Sequence, residues 1–175
     1  MKLKILCIAI AFISFSEINA QQKKAEKASV ILNRAFTKAA KENKNVMLIF
    51  HASWCGWCKR MDKNMAKESV KDYFNTNYVT SHLTVMESKG KEHLENEGAM
   101  DILKKLKAEK TGIPFWIVYN SKGEILKVSR DTKGNNLGCP ATKEEVNVFI
   151  DILDKTSKMS AKDKEAVTKA FLIKK

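Results

Sequence analysis

The chain has 175 residues, of which 44% are hydrophobic and only 2 are proline. This argues for one ordered domain with a substantial core and against a low-complexity or disordered protein. The formal net charge is +12. Because the lysines are spread along the chain and alternate with acids, as at 162–165, we expect a lysine-rich solvated surface and no nucleic-acid partner.

The first 20 residues have the pattern of a secretory signal peptide. Lys2 and Lys4 form a positive start, residues 5–15 are apolar, and residues 18–20 resemble a cleavage site. The apolar stretch is shorter than the roughly 20 residues that a membrane span needs. We therefore expect cleavage, no stable membrane insertion afterwards, and an exported protein, with the periplasm as the expected location. Secretion and an uncleaved anchor are the alternatives.

Hydrophobic periodicity predicts alternating helices and strands after this segment. Helices are predicted at 23–43, 55–67, 69–77, 99–107, from 142 onward and at 160–173. Strands are predicted at 46–51, 78–86, 115–119 and 125–128, and a turn joins the last two into a hairpin. This order favours an α/β fold with a mixed sheet covered on both faces.

Two cysteines, Cys55 and Cys58, lie where the buried strand 46–51 meets the next helix. The first turn of a helix presents unpaired N–H groups and a partial positive charge, so a thiol there loses its proton more easily. A second thiol three positions along lies one helical turn away, close enough for a disulfide. The pattern indicates a redox site, with the sulfur of Cys55 exposed as the attacking atom.

The segment Trp-Cys-Gly-Trp-Cys-Lys at 54–59, followed later by Thr-Gly-Ile-Pro-Phe at 111–115, resembles the active site of the thioredoxin superfamily. The resemblance extends over roughly residues 27 to 155. It implies a thioredoxin-like mixed sheet flanked by helices and a cis bond between Ile113 and Pro114. We therefore predict a signal peptide at 1–20, a thioredoxin-like domain at 21–158 and an extra C-terminal helix within an extension at 159–175.

The resemblance also implies roles for the residues of the site. Cys55 would attack as a thiolate and Cys58 would resolve the mixed disulfide. The surrounding site would consist of Trp54, Gly56, Trp57, Lys59, Ile113 and Pro114. The Cys55–Cys58 disulfide would be the redox group, with no further cofactor. A zinc site would need further ligands at close spacing, and we expect none, since Cys139 and the histidines are scattered.

Two positions depart from the thioredoxin pattern. Trp57 stands where thioredoxin has a proline. Ile49 stands where thioredoxin has a buried aspartate that accepts the proton of the second cysteine. The proton acceptor for Cys58 is therefore left open between water and a carboxylate elsewhere in the chain.

Two other residues have alternative interpretations. Cys139 is interpreted as a small buried residue, and the alternative is a thiol that forms an intermolecular or regulatory disulfide. His51, which lies in an apolar strand, is interpreted as a core histidine.

The expected function is thiol–disulfide exchange. Reduction of disulfides in exported proteins is favoured, because Gly56 and residues 112–114 resemble thioredoxin more than the strong oxidants. An exported reductant needs resupply, for which a membrane thiol carrier is the expected electron source. The alternatives are a thiol oxidase or isomerase of the same fold, a non-catalytic module that binds unfolded clients, and, with least support, metal delivery.

Overall fold

The computed structural model describes residues 24–173. The predicted signal peptide lies outside this part of the chain. The helices are α1 Ala28–Glu42, α2 Gly56–Met65, α3 Lys71–Asn77, α4 Ala99–Lys105, α5 Lys143–Thr156 and α6 Ala161–Phe171, with a short 3₁₀ helix at Glu92–Leu94. The strands are β1 Asn45–His51, β2 Tyr78–Thr84, β3 Phe115–Tyr119 and β4 Ile125–Val128.

The predicted elements are present, and the largest difference lies at the start of the first helix. The first helix begins at Ala28 instead of residue 23, because Lys27 is extended and backbone bonds tie this part of the chain to residues 93–97. Ala25 N–H donates to the His93 carbonyl at 3.2 Å, and Ala28 N–H donates to Glu97 at 2.9 Å. Strand β2 ends at Thr84, two residues before the predicted end at 86.

The four strands form one mixed sheet in the order β2-β1-β3-β4. Strand β1 is parallel to β2 and antiparallel to β3, and β3 pairs with β4 as the predicted hairpin. Residues Val46 to Phe50 of β1 are fully buried, as expected of a central strand covered on both faces. The predicted α/β fold is confirmed.

Successive residues of β1 point to opposite faces of the sheet, so the sheet separates two cores. Met47 and Ile49 pack towards the residues of α2, α3, α5 and α6. Leu48 and Phe50 pack towards those of α1 and α4. Helices therefore cover both faces of the sheet. Helix α2, which follows Cys55 and contains Cys58, packs against the first of these cores.

The extra C-terminal helix is present and belongs to the core. Phe171 has no exposed surface, and its ring centroid lies 4.9 Å from that of Phe149 and 6.3 Å from that of Phe74. The ammonium of Lys67 donates to the Ala170 carbonyl at the end of α6. The sequence predicts this helix as an addition to the domain, whereas its packing makes it a structural part of one face.

Candidate active site

The end of β1 places Cys55 as the N-cap residue of α2. Its sulfur accepts a hydrogen bond from the Cys58 N–H at 3.1 Å. The two cysteines form a disulfide across a Cα–Cα distance of 5.3 Å. Gly56, the first residue of α2, is exposed. The cysteine pair therefore lies at the positive end of a helix, where backbone donors stabilise negative charge on sulfur.

The disulfide is almost completely covered. Cys55 is 3% exposed and Cys58 is 2% exposed, so the prediction of an exposed Cys55 sulfur is wrong for this oxidised form. The reason is packing: the pair clusters with Ala52 and Ile113, and the Cys55 sulfur lies 3.7 Å from the Ile113 carbonyl oxygen. The oxidised pair therefore presents little sulfur surface to solvent.

The exposed apolar surface beside the disulfide comes from the two tryptophans of the motif. Trp54 is 54% exposed and Trp57 is 51% exposed. The guanidinium of Arg60 lies over the Trp57 ring, 5.5 Å from its centroid. Lys59 is exposed on the same helix. The site thus combines a covered disulfide with exposed indole rings and positive charge.

The loop before Cys55 is anchored to the segment that follows β2. The carboxylate of Glu87 accepts from the Ser53 N–H at 2.6 Å and from the Ser53 hydroxyl at 2.7 Å. The Trp54 indole N–H donates to the Met86 carbonyl at 2.8 Å. Burial by itself raises the pKa of Glu87, but the bonds from Ser53 and the charge of Lys91 bring that pKa below its usual value. Sequence reasoning missed Glu87 because loop residues carry no periodic pattern.

The second predicted motif faces the disulfide. The Ile113–Pro114 peptide bond is cis. The amide nitrogen of Asn136 donates to the carbonyls of Gly112 and Pro114, both at 3.0 Å. The amide oxygen of Asn136 accepts from the Ser129 hydroxyl at 2.8 Å. Asn136 therefore holds the Ile113–Pro114 loop in place. In the sequence, only its position in a turn-rich connection indicated such a role.

The position of the missing acid is apolar. Ile49 is fully buried and pairs in register with His82 of the neighbouring strand. The His82 ring nitrogen lies 2.8 Å from the carboxylate of Asp62, which is one helical turn beyond Cys58 on α2. A half-buried His82–Asp62 contact at hydrogen-bond distance therefore lies between α2 and β2, on the face of the sheet that carries Ile49.

His51 lies at the end of β1 beside this pair. Its ring centroid is 5.1 Å from that of His82, and its Nε2 is 3.2 Å from the Thr84 hydroxyl. Burial and the positive charge of His82 lower the pKa of His51, against the opposing charges of Asp62 and Glu87. The ring is half-buried, so the interpretation of His51 as a core histidine is wrong, because the last residue of the strand lies at the margin of the core.

Cys139 is a free cysteine, 6% exposed. Burial raises the pKa of its thiol to about 11. This confirms its interpretation as a small buried residue. Among residues 24–173, no three His, Cys, Asp or Glu side chains are grouped so that they could hold a metal ion. Within the same residues, none of the helices has the length and apolar character that a membrane crossing requires.

The fold, together with a Cys-x-x-Cys disulfide at the start of α2, defines a thioredoxin-like thiol–disulfide oxidoreductase. The chain belongs to the thioredoxin-like family, whose sequence pattern matches residues 28–121. No match is found among curated protein sequences.

Several solved structures are similar to this chain at low sequence identity. A disulphide isomerase from Xylella fastidiosa Temecula1 is 19% identical, with a TM-score of 0.50 over 82% of this chain and 88% of that chain. An exposed lipoprotein thioredoxin from Streptococcus pneumoniae strain TIGR4 is 16% identical, with a TM-score of 0.41 over 71% and 89%. A thioredoxin from Thermus thermophilus is 14% identical, with a TM-score of 0.40 over 61% and 74%.

Proposed function

We propose that this protein is an exported reductase that acts on the disulfides of other exported proteins through Cys55 and Cys58. The observation that carries the exchange chemistry is the placement of the Cys55 sulfur at the N-terminus of α2, where it accepts the Cys58 N–H. The reducing direction is supported by the resemblance of Gly56 and residues 112–114 to thioredoxin. A thiolate at this position is stabilised by a backbone donor and by the helix dipole. Reduced Cys55 is then a nucleophile near neutral pH.

The reaction is a two-step exchange of sulfur–sulfur bonds. The Cys55 thiolate attacks one sulfur of the substrate disulfide, the substrate bond breaks, and one substrate thiolate leaves. The Cys58 thiolate then attacks the Cys55 sulfur of the mixed disulfide and releases the second substrate thiolate. The substrate gains two electrons and the protein is left with the Cys55–Cys58 disulfide. No cofactor other than this disulfide takes part.

The residues around the disulfide would position the substrate. Trp54 and Trp57, which precede and follow Cys55 in the sequence, offer exposed apolar surface. The backbone of Ile113, whose carbonyl oxygen lies 3.7 Å from the Cys55 sulfur, can pair with an extended substrate chain. Pro114 shapes this wall, and the positive charge of Lys59 adds to the stabilisation of the thiolate.

The predicted signal peptide supports a periplasmic location, where protein disulfides form and persist. A reductase in such a compartment must regain two electrons after each turnover. The proposed source is a membrane thiol carrier, which would reduce the Cys55–Cys58 disulfide by the same exchange in reverse.

The direction of electron flow is tested by equilibration with reduced and oxidised glutathione. Thioredoxin has a reduction potential of about −270 mV, and a strong oxidant of the same superfamily has one of about −120 mV. We expect the Cys55–Cys58 pair to have a reduction potential of about −270 mV. A value of about −120 mV would reverse the assignment to an oxidase.

Catalysis is tested by the reduction of insulin with dithiothreitol, with and without the protein. We expect wild type to accelerate the reaction and Cys55→Ser to be inactive. Cys58→Ser should accumulate a mixed disulfide with a substrate, visible by mass spectrometry, because the resolving thiol is missing. A wild-type protein that binds unfolded chains without accelerating the reaction would instead be a client-binding module.

A further inference from the structure

An apolar groove adjoins the disulfide. It has a volume of about 470 Å³, and its walls include Trp57, Pro114, Leu137 and Ile173. Among its described lining residues the one charged side chain is Glu145, whose carboxylate accepts the N–H groups that precede α5. Since that charge is already engaged, the open surface of the groove suits an apolar side chain.

One wall of this groove comes from the C-terminal segment. Ile173 follows α6, and its N–H donates to the Ala141 carbonyl at 2.9 Å. Two residues earlier, Phe171 is fully buried and fixes the end of the helix. Ile173 itself is 41% exposed. A large apolar side chain is thus held by a backbone bond at the edge of the site, where a substrate can cover it.

A second groove shares Trp57 and is basic. It has a volume of about 500 Å³ and is lined by Gly56, Trp57, Lys59, Arg60 and Lys63. Within residues 24–173, none of its three cations forms an ion pair with an acidic side chain. Trp57 therefore stands between an apolar groove and unpaired positive charge.

We propose that the C-terminal segment makes the enzyme selective for extended cysteine-containing polypeptides with a large apolar side chain on one side of the cysteine and an acidic residue on the other. Ile173 would cover the apolar side chain, and Lys59 and Lys63 would attract the acidic residue. The inference rests on the proposed function, since the groove matters only if a polypeptide sulfur reaches Cys55. Ile173 is a specificity-determining residue, because it bounds the groove and does not touch the reacting sulfurs.

The test uses reduced full-length protein and short disulfide-linked peptides that differ at the two positions next to the cysteine. Both orders of the flanking residues are made. We expect Leu in place of Ser at the apolar position to raise the rate of reduction about tenfold, as burial of a large aliphatic side chain allows. Glu in place of Lys at the other position should raise the rate of reduction about threefold at low salt. The ratio of the Glu rate to the Lys rate should shrink in about 1 M salt, which screens the charges.

The matched variants are Ile173→Ser and Ile125→Ser. Ile125 is also an exposed isoleucine, at 47% against 41% for Ile173, and it lies on β4. It pairs with Tyr119, at the end of β3 opposite Phe115 and the Ile113–Pro114 loop. We expect Ile173→Ser to reduce the preference for Leu to less than about threefold, and Ile125→Ser to keep the wild-type preference. Lys59→Gln with Lys63→Gln should reduce the preference for Glu, since Arg60 is then the one cation left among the described lining residues of the basic groove. Urea unfolding curves show whether each variant is folded.

Bis(2-hydroxyethyl) disulfide has no amino-acid side chain beside its sulfurs. Its reduction therefore distinguishes a failure of the proposed reductase activity from a failure of the proposed peptide selectivity. A wild-type protein inert both towards this small disulfide and towards insulin would fail as a reductase. A wild-type protein that reduces the small disulfide but treats all peptides alike would overturn the selectivity alone. Retention of the tenfold Leu preference in folded Ile173→Ser would also overturn the role of the C-terminal segment.

Discussion

Replacement of Phe171 by alanine tests whether α6 is an integral part of the domain. The ring is completely buried and packs against the rings of Phe74 and Phe149. Truncation of a buried phenylalanine removes its apolar contacts and leaves a cavity, at a cost of about 3–5 kcal/mol. For a domain of this size each 1 kcal/mol lowers Tm by about 2–4 °C, so we expect a Tm loss of about 6–20 °C.

The assay is urea unfolding followed by tryptophan fluorescence, with the disulfide kept oxidised in every sample. The control is Ile125→Ala, which truncates an exposed side chain and should change the free energy of unfolding by less than about 0.5 kcal/mol. A loss below about 1 kcal/mol for Phe171→Ala, at an unchanged denaturant slope, would show that the core closes without α6. The helix would then be an appendage and our account of that face would be wrong.

Three further predictions concern Asn136, His51 and Cys139. Asn136→Ala should lower the free energy of unfolding by about 1–3 kcal/mol in urea, because the carbonyls it pairs lose their donor. The pKa of His51 is lowered from 6.5 in the folded protein, so the unfolded chain binds more protons below about pH 6.5. The free energy of unfolding should therefore fall as the pH drops below about 6.5. His51→Asn should flatten this pH dependence, as measured by urea titrations at several pH values. Cys139, with its pKa raised to about 11, should react with iodoacetamide at about pH 8 only after unfolding.

Each of these has an outcome that contradicts it. Unchanged stability in Asn136→Ala would mean that the Ile113–Pro114 loop holds its shape without the amide. An identical pH profile in His51→Asn would assign the acid sensitivity to other groups. Rapid alkylation of Cys139 in folded protein would contradict its burial, and mass spectrometry of the labelled peptides distinguishes Cys139 from the redox pair.

The elements and the redox motif could be predicted from the sequence because their signals are local. The apolar run of β1, the cysteine spacing at 55 and 58, and the capping box at Thr142 each lie within a few consecutive residues. Such local patterns distinguish a strand from a helix, because the two differ in side-chain periodicity and because helices begin at recognisable capping residues. They also place a thiol at a helix N-terminus, which is the chemical basis of the site.

What surrounds the disulfide was decided only by tertiary structure. Ser53 meets Glu87 across 34 residues of chain, Asn136 reaches Pro114 across 22, and the burial of Cys55 depends on Ile113. Ile173 lines the groove because Phe171, two residues earlier, is held against the rings of Phe74 in α3 and Phe149 in α5. Such contacts depend on how separate elements pack, and no pattern within a short window of sequence records that packing.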